Sequence, residues 1–231
     1  MRLSPAIFVS RSLQALFSLA CLGTAAYAFG YLFMRYRNGD PFAASFAASG
    51  WDVPAHFFGA GLALALVPLQ LSTGIRRRWP ALHRIGGLLS AAAILVGGVS
   101  GLSLAQDAQG GWPSRTGFSL LALLWLGVTG NGLRLAILGL YVRHRRWMAY
   151  SMALTAGAVT LRVMLAVGAG MLQLPFMATY ITAAWASWLL NLVLCAGWLW
   201  WSDRHPPEPA RHRATAHGGP GMRWAFRRPG A

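Results

Sequence analysis

The residues of this chain that could do chemistry are few, and most sit in apolar company. Arg162 lies inside the apolar stretch that follows Arg146, 16 residues further on, or about 24 Å along a helix. A guanidinium at such depth in hydrocarbon costs roughly 2.5–3.5 kcal/mol, so it needs a partner, a wet cavity or a bound group. No acid falls inside any apolar stretch: Asp40, Asp52, Asp107, Asp203 and Glu208 all lie outside. Arg162 must therefore turn to Asp52 or Asp107 at the boundary, to backbone carbonyls, to lipid phosphate or to an anionic ligand. His56 opens an earlier apolar stretch and is expected at a similar height, so His56 and Arg162 form a candidate site. The plainer reading is an arginine reaching to lipid headgroups beside an interfacial histidine.

His83 and His144 flank two arginine-rich segments at similar depth. Two facing imidazoles can ligate a b-type haem iron or a metal, with nearby arginines such as Arg84 meeting the haem propionates. Pro80 suits the start of a helix just before His83, where a helix N-terminus favours the neutral imidazole. Interfacial histidines without a ligand are the simpler alternative. Arg134 lies ~13 Å inside the basic end of its run and can snorkel part of that distance, while the polar residues expected in the middle of the bilayer are Gln70, Asn131, Asn191, Thr155 and Thr160. They can hydrogen-bond between helices but offer no titrating relay, which disfavours a proton-driven pump. No nucleophile elbow, zinc-protease helix, phosphate loop or dinucleotide fingerprint is present.

The elements that position these groups must be lipid-embedded helices. Hydrophobic residues make up 56% of the chain and charged ones only 11%, well under the quarter typical of soluble domains. The apolar excess is gathered near residues 13–34, 54–75, 84–105, 117–142, 147–171 and 179–201, each long enough to cross a bilayer core of ~30 Å. The expected fold is all-α: an integral membrane bundle of six transmembrane helices over residues 1–202, followed by a disordered basic tail, 203–231. Ala26-Tyr27-Ala28 resembles a cleavage site, but the apolar run continues to Met34, so the first run reads as an uncleaved helix. Cys21 and Cys195 both lie in apolar runs and indicate no disulfide framework.

The net charge of +15 comes from arginine alone, with no lysine. Its position argues against nucleic acid as a partner. Arg76, Arg77, Arg78 and Arg84 lie between the second and third runs; Arg143, Arg145 and Arg146 form a basic loop between the fourth and fifth. The loops near 106–116 and 172–178 are nearly free of charge. The positive-inside bias then places both termini in the cytoplasm, with Arg35 and Arg37 in the first outer loop as a mild exception. The proline- and glycine-rich tail carries arginines that would be drawn to anionic lipid. Glycines such as Gly97 and Gly101, four apart, suit close helix contacts. Similar hairpins, 54–105 and 117–171, fit either a duplication or two independent basic turns.

The run His56-Phe57-Phe58-Gly59, then Pro68-Leu69-Gln70, Arg76-Arg77-Arg78 and Pro80-Ala81-Leu82-His83-Arg84, resembles the bacterial multi-pass family catalogued as domain of unknown function 2306. The later segments Ser100-Gly101, His144-Arg145-Arg146-Trp147-Met148, Ser151, Ala153-Leu154-Thr155 and Leu161-Arg162 are similar too, so the resemblance covers residues 54–165. It implies an integral protein of the bacterial inner membrane and supplies no activity. It adds Trp147 and Met148 to His56, His83, Arg84, His144 and Arg162 as candidate ligand-binding residues. Members often carry arginine and tyrosine shortly after the His-Arg pair, where this chain has Gly87 and Ser90. The functional expectation is a non-enzymatic membrane protein binding haem or quinone in an electron-transfer or sensory role. A permease for a small anionic or neutral solute, and a structural subunit of a membrane complex, are the alternatives.

Overall fold

A computed structural model describes residues 5–33 and 49–205, with side chains described for 12–32 and 49–205. All regular elements among them are helical: α1 (Pro5–Phe33), α2 (Asp52–Leu71), α3 (Thr73–Arg78), α4 (Pro80–Ala105), α5 (Trp112–Ile137), α6 (Tyr141–Thr155), α7 (Gly157–Leu165) and α8 (Phe176–Arg204). A π-helical turn, Ala166–Met171, extends α7. Six stretches are long and apolar enough to span a membrane: Ser12–Leu32, Asp52–Leu71, Pro80–Ala105, Trp112–Ile137, Tyr141–Met171 and Phe176–Arg204. The first loop with Arg35, Arg37 and Asp40, and the tail beyond His205, lie outside the described residues.

Local chemistry sets the boundaries. After α2 the chain breaks at Ser72, whose hydroxyl caps α3 by accepting from the Ile75 amide at 3.2 Å. Prolines occupy the first turns of α4 and α5, where no intrahelical N–H is lost. Gly139, at φ 72°, ends α5: its amide reaches the Ala136 carbonyl and the Leu140 amide reaches that of Leu135. This Schellman turn needs a left-handed residue, which glycine adopts without strain. The turn is so short that Arg143, His144, Arg145 and Arg146, expected in a basic loop, instead form the first turns of α6. Charge at a helix end does not oppose the helix when that end meets the polar boundary.

The bundle is inverted relative to a soluble protein. Leu95, Val99, Leu123, Leu190, Val193 and Leu194 face outward, while Ala63, Ala93, Ala183 and Ala184 are buried. Lipid is as apolar as leucine, so close packing of small residues, and not burial of large ones, holds such helices together. The tightest crossing is α2 against α4. A Cβ on Gly59 would lie 2.5 Å from the Gly97 amide nitrogen, and one on Gly97 would lie 2.9 Å from the Ala60 nitrogen. The two backbones touch directly.

Between α5 and α6 the contact is polar. Trp125 Nε1 donates to Thr155 Oγ1 at 2.9 Å, and Thr129 and Ser151 share a hydroxyl hydrogen bond of 2.7 Å. Thr155 in turn donates to the Ser151 carbonyl. Such back-bonding bends helices, and the helix is interrupted one residue later, at Ala156. Arg146 pairs with Asp203, tying α6 to α8 at the arginine-rich end. Cys21 and Cys195 are free thiols.

Candidate functional site

The arginine-poor end of the bundle encloses a cavity of ≈ 360 Å³. Its walls come from α1, α2, α4, α5, α6, α7 and α8. Most of the lining is aromatic or small: Tyr27 and Tyr31 on α1, Phe57 on α2, Gly97 and Gly101 on α4, Trp125 on α5. His56 and Arg162 both line it and lie within electrostatic reach of each other.

His56 sits one turn into α2. Its Nδ1 is 2.8 Å from the carbonyl oxygen of Gly97 on α4. A carbonyl can only accept, so Nδ1 carries the hydrogen. The glycine crossing makes this bond, because only there do the two helices come close enough. Gly101 leaves room for the ring: a Cβ there would meet His56 Nδ1 at 2.9 Å. Phe57 meets the imidazole edge-on, with centroids 6.2 Å apart, and stacks on Tyr31 at 4.7 Å.

Arg162 projects from α7, beyond the break at Ala156. One guanidinium nitrogen donates to the Ala158 carbonyl at 2.9 Å, and the group lies over the Tyr27 ring, 5.0 Å from its centroid. A cation over an aromatic face recovers part of the desolvation cost. Arg162 Nε is buried and has no hydrogen-bond partner. Among the described residues the only ion pair is Arg146–Asp203, so no described carboxylate pairs with Arg162. Asp52 is engaged elsewhere, accepting from Ser103 at 2.6 Å, and Asp107 lines the cavity without pairing to Arg162. Leu154, Trp125 and Thr155 line the cavity on the side of the hydroxyl seam, and Ser187, whose buried hydroxyl has no partner, lines it from α8.

The other candidates lie away from this cavity. His144 donates from Nδ1 to the Gly132 carbonyl at 2.8 Å, across the α5–α6 turn. His83 is within electrostatic reach of His144 and Arg76, and its Nδ1 is buried without a partner. Gln70 donates to the His83 carbonyl at 3.3 Å, linking α2 to the start of α4. Met148 packs on α5, where a Cβ on Gly132 would meet its sulfur at 2.7 Å. Arg84, Arg134 and Trp147 are exposed on the bundle surface and Asn131 is partly buried. Asn191 accepts from Thr160 at 3.2 Å, while its Nδ2 is buried and unpaired. Ser90 is buried with an unpartnered hydroxyl. No group of three or more His, Cys, Asp or Glu is placed to hold a metal among the described residues.

Tyr27, Tyr31, Phe57 and Trp125 did not stand out as site residues in the sequence. Aromatic residues in apolar runs are ordinary, and no spacing links the first span to the fifth. A second cavity of ≈ 490 Å³, lined by Val163, Val167, Leu174, Pro175 and Thr179 among others, lies between α7, the π-helical turn and α8.

Residues 53–201, well over half of the chain, match the family described as predicted membrane protein (DUF2306). The chain belongs to this family. No curated protein and no solved structure matches it. In this DUF2306 protein the matched region extends past residue 165 through most of α8, so the helix that contributes Ser187 to the cavity is part of the family unit. Helix α1, which supplies Tyr27 and Tyr31, precedes it.

Proposed function

We propose that this protein is a non-enzymatic ligand-binding subunit of a bacterial inner membrane, serving electron transfer or sensing. Its ligand in this reading is a lipid-soluble molecule of the quinone class, held in the cavity at the arginine-poor end. That end faces away from the cytoplasm, in keeping with the positive-inside bias.

The observation that carries the reading is the Arg162 guanidinium, a cationic donor in the wall of an aromatic cavity with no carboxylate partner among the described residues. A ring oxygen would satisfy that donor, and the aromatic and small apolar residues suit a ring and the start of an isoprenoid tail. Haem between His83 and His144 is less well supported, because neither histidine lines either cavity. A permease would have to part Trp125 from Thr155, which are hydrogen-bonded beside the cavity.

The test is binding of a short-chain benzoquinone to the detergent-solubilised full chain, followed by thermal shift and equilibrium dialysis. Saturable binding is expected, weakened about tenfold or more in Arg162→Gln, as befits loss of a charged hydrogen bond. No saturable binding to the wild type, or equal affinity in the variant, would overturn the proposal.

A further inference from the structure

We infer that the cavity binds the hydroxyl-bearing, reduced form of its ligand, a quinol, in preference to the quinone. This rests on the quinone-class reading above and deepens it.

The argument is one of hydrogen-bond polarity. His56 Nδ1 faces the Gly97 carbonyl at 2.8 Å and must donate to it. In a neutral imidazole the other nitrogen then carries the lone pair and can only accept. Turning the ring over would replace that hydrogen bond with a C–H. The hydrogen bond to Gly97 therefore holds the ring's orientation. Nε2 of His56 therefore asks its ligand for a hydrogen.

Arg162 asks for the opposite. A guanidinium has donors only, and that of Arg162 lines the cavity with no carboxylate partner among the described residues. His56 and Arg162 thus give the cavity a fixed acceptor and a fixed donor, and the carboxylate of Asp107, also in the lining, adds a second acceptor. The hydroxyl of Ser187, also in the wall, can serve either way and does not discriminate.

A quinone offers carbonyl oxygens alone. It can satisfy Arg162, but toward His56 it sets one lone pair against another. A quinol offers hydroxyls, which donate to His56 while a phenolic oxygen accepts from Arg162. A site built around a hydrogen bond to a hydroxyl rejects the analogue lacking it, because its own polar group is left unpaired.

The experiment compares three probes of one ring skeleton on the full-length protein, anaerobically at pH 8, above the ordinary titration range of imidazole. The probes are a short-chain benzoquinone, its benzoquinol and the dimethyl ether of that quinol. The expected result is about tenfold tighter binding of the quinol than of either other probe. A tenfold preference corresponds to a rise of ~30 mV in the midpoint potential of the bound two-electron couple. In His56→Gln the preference should collapse toward equality, because an amide can present either its donor or its acceptor. If that variant does not fold, the quinol–quinone comparison in the wild type decides the matter, because the two differ by little more than the hydroxyl hydrogens; the ether, two methyl groups larger, serves as a second probe without a donor. Equal or tighter binding of the quinone or the ether overturns the inference and leaves the ligand class standing. Failure of all three to bind overturns the ligand class as well.

Discussion

At the scale of single residues, Arg162 is the point where stability and function pull apart. A cation in the apolar part of a membrane protein costs roughly 2.5–3.5 kcal/mol. The bond to the Ala158 carbonyl and the contact with the Tyr27 face return part of this. Each contact of these kinds is worth about 1 kcal/mol. The unpartnered Nε adds to the deficit. Arg162→Leu should therefore make the ligand-free protein more stable, by about 1 kcal/mol. The check is the thermal midpoint in detergent without added ligand. A lower midpoint would mean that Arg162 holds the fold together, and the case for a ligand at its guanidinium would fail. The cost of this arginine was legible in the sequence, since nothing acidic shares its apolar run. Its neighbours were not, because the Tyr27 contact joins residues 135 positions apart in the chain and follows no local pattern.

At the scale of elements, the α2–α4 crossing decides whether the site exists. Gly59 and Gly97 let the two backbones touch, and the His56–Gly97 bond depends on that approach. In Gly59→Ala the new Cβ would sit 2.5 Å from a backbone nitrogen and 2.7 Å from the Ala93 carbonyl oxygen, neither of which can step aside alone. The helices must separate, at a cost of about 2 kcal/mol as for overpacked cores, and His56 would lose its anchor. Gly127→Ala is the matched control: beyond its chain neighbours and its own helix backbone nothing lies within 4 Å of the new Cβ, so it should be neutral or slightly stabilising. Thermal midpoints of both variants, read beside ligand affinity, test this. Equal behaviour would remove the crossing as the source of the site's geometry. The number and placement of the spans were readable from hydropathy, because twenty apolar residues have few other uses. What could not be read was which glycines face which. Gly97 and Gly127 look alike in sequence, and only the rotation of each helix about its axis separates a contact from a lipid-facing position. The same holds for the Arg143–Arg146 segment, whose charge suggested a loop. Gly139, in a left-handed conformation, closes the turn early enough to leave that segment helical.

At the scale of the whole molecule, the two ends of the bundle differ in charge, and that difference sets which way the cavity points. Arg76, Arg77, Arg78, Arg143, Arg145 and Arg146 gather at one end, joined by Arg204 at the close of α8. The turns before α5 and α8, with the first turn of α5, carry only Arg115 and Asp107, against Arg35, Arg37 and Asp40 in the loop after the first span. Short arginine-rich segments resist translocation, so the arginine-rich end should remain in the cytoplasm. The prediction is topological. With Cys21 and Cys195 replaced by alanine, a membrane-impermeant thiol reagent applied to intact spheroplasts should label Leu172→Cys, in the turn before α8. It should spare Leu138→Cys, in the turn before α6, until the membrane is opened. Both native leucines are exposed, so access and not burial would decide the outcome. The reverse pattern would place the cavity in the inner half of the bilayer. His56 and Arg162 would keep their geometry, but a ligand would then arrive from the cytoplasmic leaflet, and the arginine-rich surface would face the exterior against the bias that normally orients such bundles.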